Sequence, residues 1–235
     1  MKLYHYTTID KFKSIWENNE LWFSSSHIQS NNDYFERIKG FSIIGEHSEF
    51  VDRLMNFSPS NKIPNYFRLV NSYKQISFCM DYSDGTLGCL SPMMWGQYGG
   101  KGMGVCIEFN SDSWDFSSPL FYAQPIQYQT MLDEVQLKNS DFIDSKSLYS
   151  AIERQIDIIF FQKHSHWFFE NEYRVISREA HHLSVNDAIT HIYMIGYDSV
   201  TSRIVRDIVK KDKLLSYITK CTNGTQKLLQ CFPFP

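Results

Sequence analysis

The sequence predicts one α+β domain with a mixed, mostly antiparallel core and a cleft beside its first strand. Three observations predict it. Residues 3–24 spell a strand, a capped helix and a returning strand. Further short strands and helices follow, but not in the regular βαβ alternation that builds a doubly wound parallel sheet. No repeat, low-complexity tract or composition shift marks a boundary within the 235 residues, so residues 1–235 read as a single domain.

The elements follow in order. Leu3–Thr7 alternates and is rich in Tyr, a strand. Thr7 or Thr8 caps a helix with Asp10 in its first turn and Ile9, Phe12, Ile15 and Trp16 on one face; Asn18-Asn19 stops it. Glu20–Ser24 returns as a strand, and residues 24–33 form a polar loop. A helix is expected from Tyr34 to Phe57, interrupted at Gly40 or Gly45, and a second one to Lys74. Gln75–Met80 is a buried strand, and Pro92 opens a short helix ending at Gly99-Gly100. Met103–Phe109 and Leu120–Tyr128 are strands. Ser147–Lys163 is the best helix of the second half, with Leu148, Ile152, Ile156 and Ile159 or Phe160 inward. Tyr173–Ser177 and His191–Tyr197 are strands, Ser202–Lys210 is a helix, and the tail supplies one or two edge strands.

Composition limits the function. Hydrophobic residues make up 43% and aromatics 16%, enough for a core and a ring-lined groove. A net charge of −3 argues against coating nucleic acid by bulk electrostatics. The densest basic cluster, Lys210, Lys211 and Lys213, reads as a solvated helix end. Five cysteines without a C-x-x-C give neither a disulfide framework nor a zinc ribbon; Cys79 and Cys106 lie in apolar runs as core residues. The N-terminus has no apolar signal region, and the longest apolar runs fall far short of the ~20 residues a bilayer needs. A cytoplasmic protein that does not enter membranes is expected.

Four clusters could carry chemistry. Tyr4-His5-Tyr6-Thr7 places a His on a strand where it can project into a groove, or serve as an ordinary strand residue. Asn31 to Glu36 resembles a capping box, and a helix N-terminus there could receive a pyrophosphate through Asn32. Trp95 to Gly102 holds four glycines beside a Trp and a Tyr, so a backbone could approach a flat ligand stacked on a ring. Neither a P-loop nor a Rossmann glycine pattern occurs. Lys163 to Arg174 crowds charged and aromatic residues, and Glu170, Glu172 and Arg174 alternate onto one strand face about 7 Å apart. The structural alternative there is a solvated face with a salt bridge. His164, His166 and the His181-His182 pair lack any metal-ligand spacing, so no metal is expected.

The string LYHYTTIDKFKSIWENNELWFSS, followed by NDYFE, MWGQY, GVCIEF and WFFENEYR, resembles an uncharacterised bacterial domain family over residues 3–174. That family in turn distantly resembles ADP-ribosyltransferases. The resemblance implies an ADP-ribosyltransferase-like fold and NAD as substrate. Its acceptor would be a nucleic acid, a protein or water, and its setting bacterial defence or a toxin–antitoxin pair. It implies that His5, with Tyr6 and Thr7, holds the adenosine-side ribose, and that Tyr98, beside Trp95, stacks on nicotinamide. Asn32 and Arg174 complete the NAD contacts. Glu172 would act on the nicotinamide ribose and Glu170 orient the acceptor. No Ser-Thr-Ser motif is present. The alternative is a non-catalytic module that binds a nucleotide or a partner.

Overall fold

The computed structural model describes residues 1–25, 41–44, 66–196, 199–223 and 226–233. The strands in chain order are β1 (Lys2–Thr7), β2 (Glu20–Trp22), β3 (Ser24–Ser25), β4 (Phe41–Ile44), β5 (Lys74–Cys79), β6 (Val105–Asn110), β7 (Tyr122–Pro125), β8 (Gln127–Gln129), β9 (Val135–Lys138), β10 (Gln162–His164), β11 (Glu172–Ser177), β12 (His182–Ser184), β13 (Ile189–Ile195), β14 (Leu215–Asn223) and β15 (Gln226–Pro233). Helices interleave with them, and the class is α+β. The chain forms two compact units. One comprises Met1–Phe23, Ile76–Pro125 and Phe168–Pro235; the other comprises Ser24–Gln75 and Ile126–Trp167.

The first unit is built on an open sheet in the order β15-β14-β13-β6-β1-β5-β11-β7. β1 lies in its interior, as the sequence predicts. β13 and β14 run parallel, whereas β1, β6, β13, β14 and β15 otherwise pair antiparallel, as do β7 and β11. The sheet is therefore mixed and mostly antiparallel. Strand alternation splits the side chains between two faces. Leu3, Ile76, Phe78, Val105, Ile107, Phe109, Tyr173 and Val175 lie in the larger core with Phe12 and Ile15 of the helix Ile9–Asn18 and Val205 and Val209 of the helix Val200–Val209. Tyr4, Tyr6, Cys79, Cys106 and Tyr193 pack in a second cluster with Met94 and Trp95 of the helix Pro92–Gln97.

The helix Ile9–Asn18 follows its sequence signals. Thr8 is the extended N-cap residue, and Asn19 ends the helix in the left-handed region at φ 56°. Lys210 does the same for Val200–Val209 at φ 51°. Within the glycine run, a Cβ on Gly96 would meet nothing within 4 Å, whereas Gly99, like Gly104 just beyond the run, is closely packed. A Cβ on Gly104 would sit 2.1 Å from the Thr7 carbonyl oxygen, and one on Gly99 would sit 2.6 Å from the Trp95 ring. These two glycines are required by the protein's own close packing, not by a ligand's approach. Gly104→Ala is expected to cost about 2–3 kcal/mol, because the clash is with backbone and cannot be relieved by a rotamer. The corresponding fall in Tm, roughly 5–10 °C by calorimetry, checks it.

In the second unit, β3 pairs antiparallel with Gln75 and Lys74, β4 pairs parallel with β9, and β8 pairs parallel with β10. Its core gathers Leu148, Ile152, Ile156, Ile159 and Phe160, with Tyr73 against Phe160 at 5.0 Å. Two expectations change here. Phe41–Ile44 is a strand, not part of a helix, because its backbone finds a ladder partner in β9; the rest of the Tyr34–Phe57 helix lies outside the described residues. The Ser147–Lys163 helix is instead Ser145–Arg154 and Ile156–Phe160, with Gln162–His164 a strand. At Gln155 the backbone leaves helical angles (φ −120°, ψ 22°). Its side chain accepts from Gln136 N–H at 2.8 Å and donates to Gln136 C=O at 2.7 Å.

Candidate functional site

β1 and β5 share one register pair, Tyr4↔Cys79, and go no further as a ladder. Continuing the register would pair Tyr6 with Ser77. Instead the His5 side chain takes the Ser77 carbonyl, 3.1 Å from Nδ1. The carbonyl can only accept, so Nδ1 carries the proton. Burial lowers the His5 pKa, opposed by the Ser77 hydrogen bond and assisted by the Lys11 ammonium, so the ring is neutral at physiological pH.

Ser77 is exposed although its strand has neighbours on both sides, so the sheet surface at Ser77 is uncovered. Its hydroxyl donates to Glu172 Oε1 at 2.5 Å. Glu172 is clamped from its other side by Arg174, with Nε 2.7 Å from Oε1 and Nη2 2.9 Å from Oε2. Glu172 and Arg174 share a face because they are two apart on β11. They are 3% and 1% exposed. Ser77, Glu172 and Arg174 thus form a hydrogen-bonded row of side chains across β5 and β11, and His5 adds a bond to the Ser77 backbone carbonyl from β1.

Glu170 and Tyr98 make a second pair. The Tyr98 hydroxyl donates to Glu170 Oε1. Glu170 is not on the strand, contrary to the alternation expected from sequence. It closes the 3-10 helix Ser165–Glu170, and Asn171, in the left-handed region at φ 40°, turns the chain into β11. Asn171 Nδ2 fixes that turn by donating to the carbonyls of Met80 and Asp81 at 3.2 and 2.9 Å. Cys79 adjoins both pairs. Burial above all, with the carboxylates of Asp81, Glu170 and Glu172 adding, pushes its thiol up to about 12. It is no thiolate at neutral pH and no nucleophile.

The remaining sequence-predicted residues are placed differently. Strand alternation turns His5 to the face of Phe78, whose ring it meets edge-on at 6.1 Å, and away from Tyr98, which packs with the second cluster. The expected shared wall of His5 and Tyr98 is therefore not formed; Ser77 links His5 to Glu172 instead. Trp95 is a core residue, 2% exposed, edge-on to Tyr6 at 5.1 Å with its Nε1–H donating to Cys89 C=O at 2.8 Å. It has no ring face to offer a ligand. Tyr6 is buried and its hydroxyl donates to Gly88 C=O at 2.5 Å; Thr7 is buried too. Asn32 lies outside the described residues.

Sequence reasoning missed Ser77 and Glu108. Each is a polar residue inside an apolar strand, and that interruption was the available signal. Glu108, 2% exposed, accepts from Thr190 Oγ1 and Tyr193 OH, both at 2.7 Å, with Lys2 Nζ 3.3 Å away. Burial pushes its pKa up, but these donors and the ammonium together outweigh burial and hold the carboxyl below its ordinary range. A depressed carboxyl stabilises the fold fully above its unfolded pKa of about 4.3 and loses that contribution as pH falls through the folded value. Wild type should therefore lose Tm more steeply than Glu108→Gln as pH is lowered below that point. Equal slopes in a pH series of melts would refute the assignment.

Among the described residues no cluster of His, Cys, Asp and Glu is arranged to hold a metal, and no helix is long and apolar enough to cross a membrane. No curated protein and no solved structure matches the chain. Residues 94–175, which include Tyr98, Glu108, Glu170, Glu172 and Arg174 but neither His5 nor Ser77, match the model of a family described as a protein of unknown function (DUF2971).

Proposed function

We propose that the first unit binds NAD at the uncovered sheet surface beside Ser77 and cleaves its nicotinamide–ribose bond, passing ADP-ribose to water or to a nucleic-acid or protein acceptor. The observation that carries this reading is the held carboxylate. Three donors, from Ser77 and Arg174, fix Glu172 next to an exposed hydroxyl on an inner strand. Cleavage of that bond passes through an oxocarbenium-like ribose. A carboxylate already fixed in orientation stabilises the developing positive charge without reorganising, an effect often worth several kcal/mol. Glu170, tied to the half-buried Tyr98, is the second carboxylate and is assigned to the acceptor. Tyr98, not Trp95, is the ring that would meet nicotinamide. The fold expected alongside this reading is that of an ADP-ribosyltransferase, and the proposed setting is bacterial defence. Release of nicotinamide from NAD, followed by chromatography, tests the proposal; a rate equal to that without protein would sink it.

A second reading is favoured by the burial of Glu172 and Arg174, which neutralise each other as a structural pair would. On that reading the unit binds a nucleotide or partner without chemistry. Calorimetric binding of NAD with no nicotinamide release would select it.

A further inference from the structure

We propose that Trp22, Glu20 and His182 form a docking platform for an arginine side chain of a partner protein. β2 and β12 pair antiparallel as a two-stranded ribbon with the register His182↔Trp22, Leu183↔Leu21 and Ser184↔Glu20. Directly opposed residues share a face, so Leu21 and Leu183 point one way and Glu20, Trp22, His182 and Ser184 the other. The leucines are buried in the larger core, at 3% and 4% exposure, which anchors the ribbon. The outer face of such a ribbon is ordinarily polar. Here it carries an indole that is 58% exposed.

The platform is held in shape. The His182 ring lies 5.5 Å from the indole, tilted by 50°, and His182 Nε2 is 3.3 Å from Glu20 Oε1. His182 thus supports both the ring and the carboxylate. Glu20 and Trp22 stand two residues apart on one strand face, about 7 Å along it. An open aromatic face beside a carboxylate suits a group that is flat, cationic and rich in N–H donors. A guanidinium stacks on the indole and forks onto the carboxylate; an ammonium lacks the plane for the first contact. A guanine base could also stack and donate to Glu20. It would bring phosphates, and the four outward residues include no Lys or Arg to receive them. Charge complementarity therefore selects arginine on a protein segment.

The test follows the indole N–H resonances of the full ¹⁵N-labelled chain during titration with a blocked Gly-Arg-Gly peptide, its Gly-Lys-Gly counterpart and guanosine monophosphate. The Trp22 signal is assigned by its loss in Trp22→Phe, whose other indole signals must stay in place. The Arg peptide should shift that signal saturably, the Lys peptide much less, and Glu20→Gln should weaken the Arg response roughly tenfold. No shift up to tens of millimolar peptide, an equal response to lysine, or a stronger response to the nucleotide would each overturn the proposal.

Discussion

Arg174→Met is expected to lower stability by about 3–5 kcal/mol, a loss at the upper end for a single substitution. Arg174 is 1% exposed and lies on an inner strand, paired through two nitrogens with a carboxylate that is 3% exposed. Methionine fills a similar length but leaves the Glu172 charge buried. The Ser77 hydroxyl still donates to it. The penalty is therefore that of taking the guanidinium away from a buried carboxylate, not the modest net worth of the pair. Adding Glu172→Gln to Arg174→Met removes the stranded charge and should restore about half of the loss. Denaturant melts of the two single variants and the double variant form a cycle that reads the coupling directly. Additive losses would show that the two side chains do not depend on each other, against the 2.7 and 2.9 Å contacts.

The residues that carry this pair are legible in sequence, but their surroundings are not. Glu172 and Arg174 fall two apart in a β-rich run, so strand periodicity alone puts them on one face. That they are buried, not solvated, depends on β5 and β7 flanking β11, which local sequence cannot reveal. Glu170 shows the opposite failure. The same periodicity places it on the strand, and a single left-handed Asn171, held by the carbonyls of Met80 and Asp81 some 90 residues away, overrides it. Ser77 escapes notice because an isolated serine in Ile-Ser-Phe is commonplace. Its importance comes from β1 and β5 parting after Tyr4↔Cys79, a tertiary event.

The helices divide in the same way. Ile9–Asn18 announces itself through Thr8, Asp10 and Asn19, all local signals, and forms where expected. The long helix expected over Ser147–Lys163 fails at Gln155, where a side chain satisfies both backbone groups of Gln136 on β9. Apolar periodicity runs through that break, since Leu148, Ile152, Ile156 and Ile159 are all buried. Periodicity thus reports which residues go inside and is blind to a kink made by a distant partner. The glycines of residues 96–104 carry a related lesson. Composition alone treats them alike, whereas Gly104 and Gly99 are filled against Thr7 and Trp95 and Gly96 has nothing within 4 Å of a Cβ position.

Glu172→Gln is expected to reduce nicotinamide release from NAD roughly a hundredfold or more, if the proposed activity holds. Glutamine keeps the size, and its one oxygen can still accept from Ser77 and Arg174 Nε, but its amide NH2 would face the Arg174 Nη2 donor, so one contact of the clamp is lost. It also loses the negative charge that, on the proposed reading, would face the oxocarbenium-like ribose. The sequence alone suggests little loss of stability for this variant. Burial opposite Arg174 changes that expectation: removing the negative charge that faces a buried guanidinium should cost about 3 kcal/mol, so folding must be checked beside activity. Ser77→Ala separates the two effects. It leaves the Glu172–Arg174 pair intact and removes one donor at an exposed position, so stability should change by about 1 kcal/mol while turnover falls by about tenfold. Glu170→Gln should spare hydrolysis and depress transfer to an acceptor. If Ser77→Ala and Glu172→Gln both release nicotinamide at the wild-type rate while remaining folded, Glu172 is a structural partner of Arg174 and the chemistry lies elsewhere. If wild type itself releases none but binds NAD, the row is a binding site, and the same two variants should then weaken binding, with Ser77→Ala the cleaner of the pair.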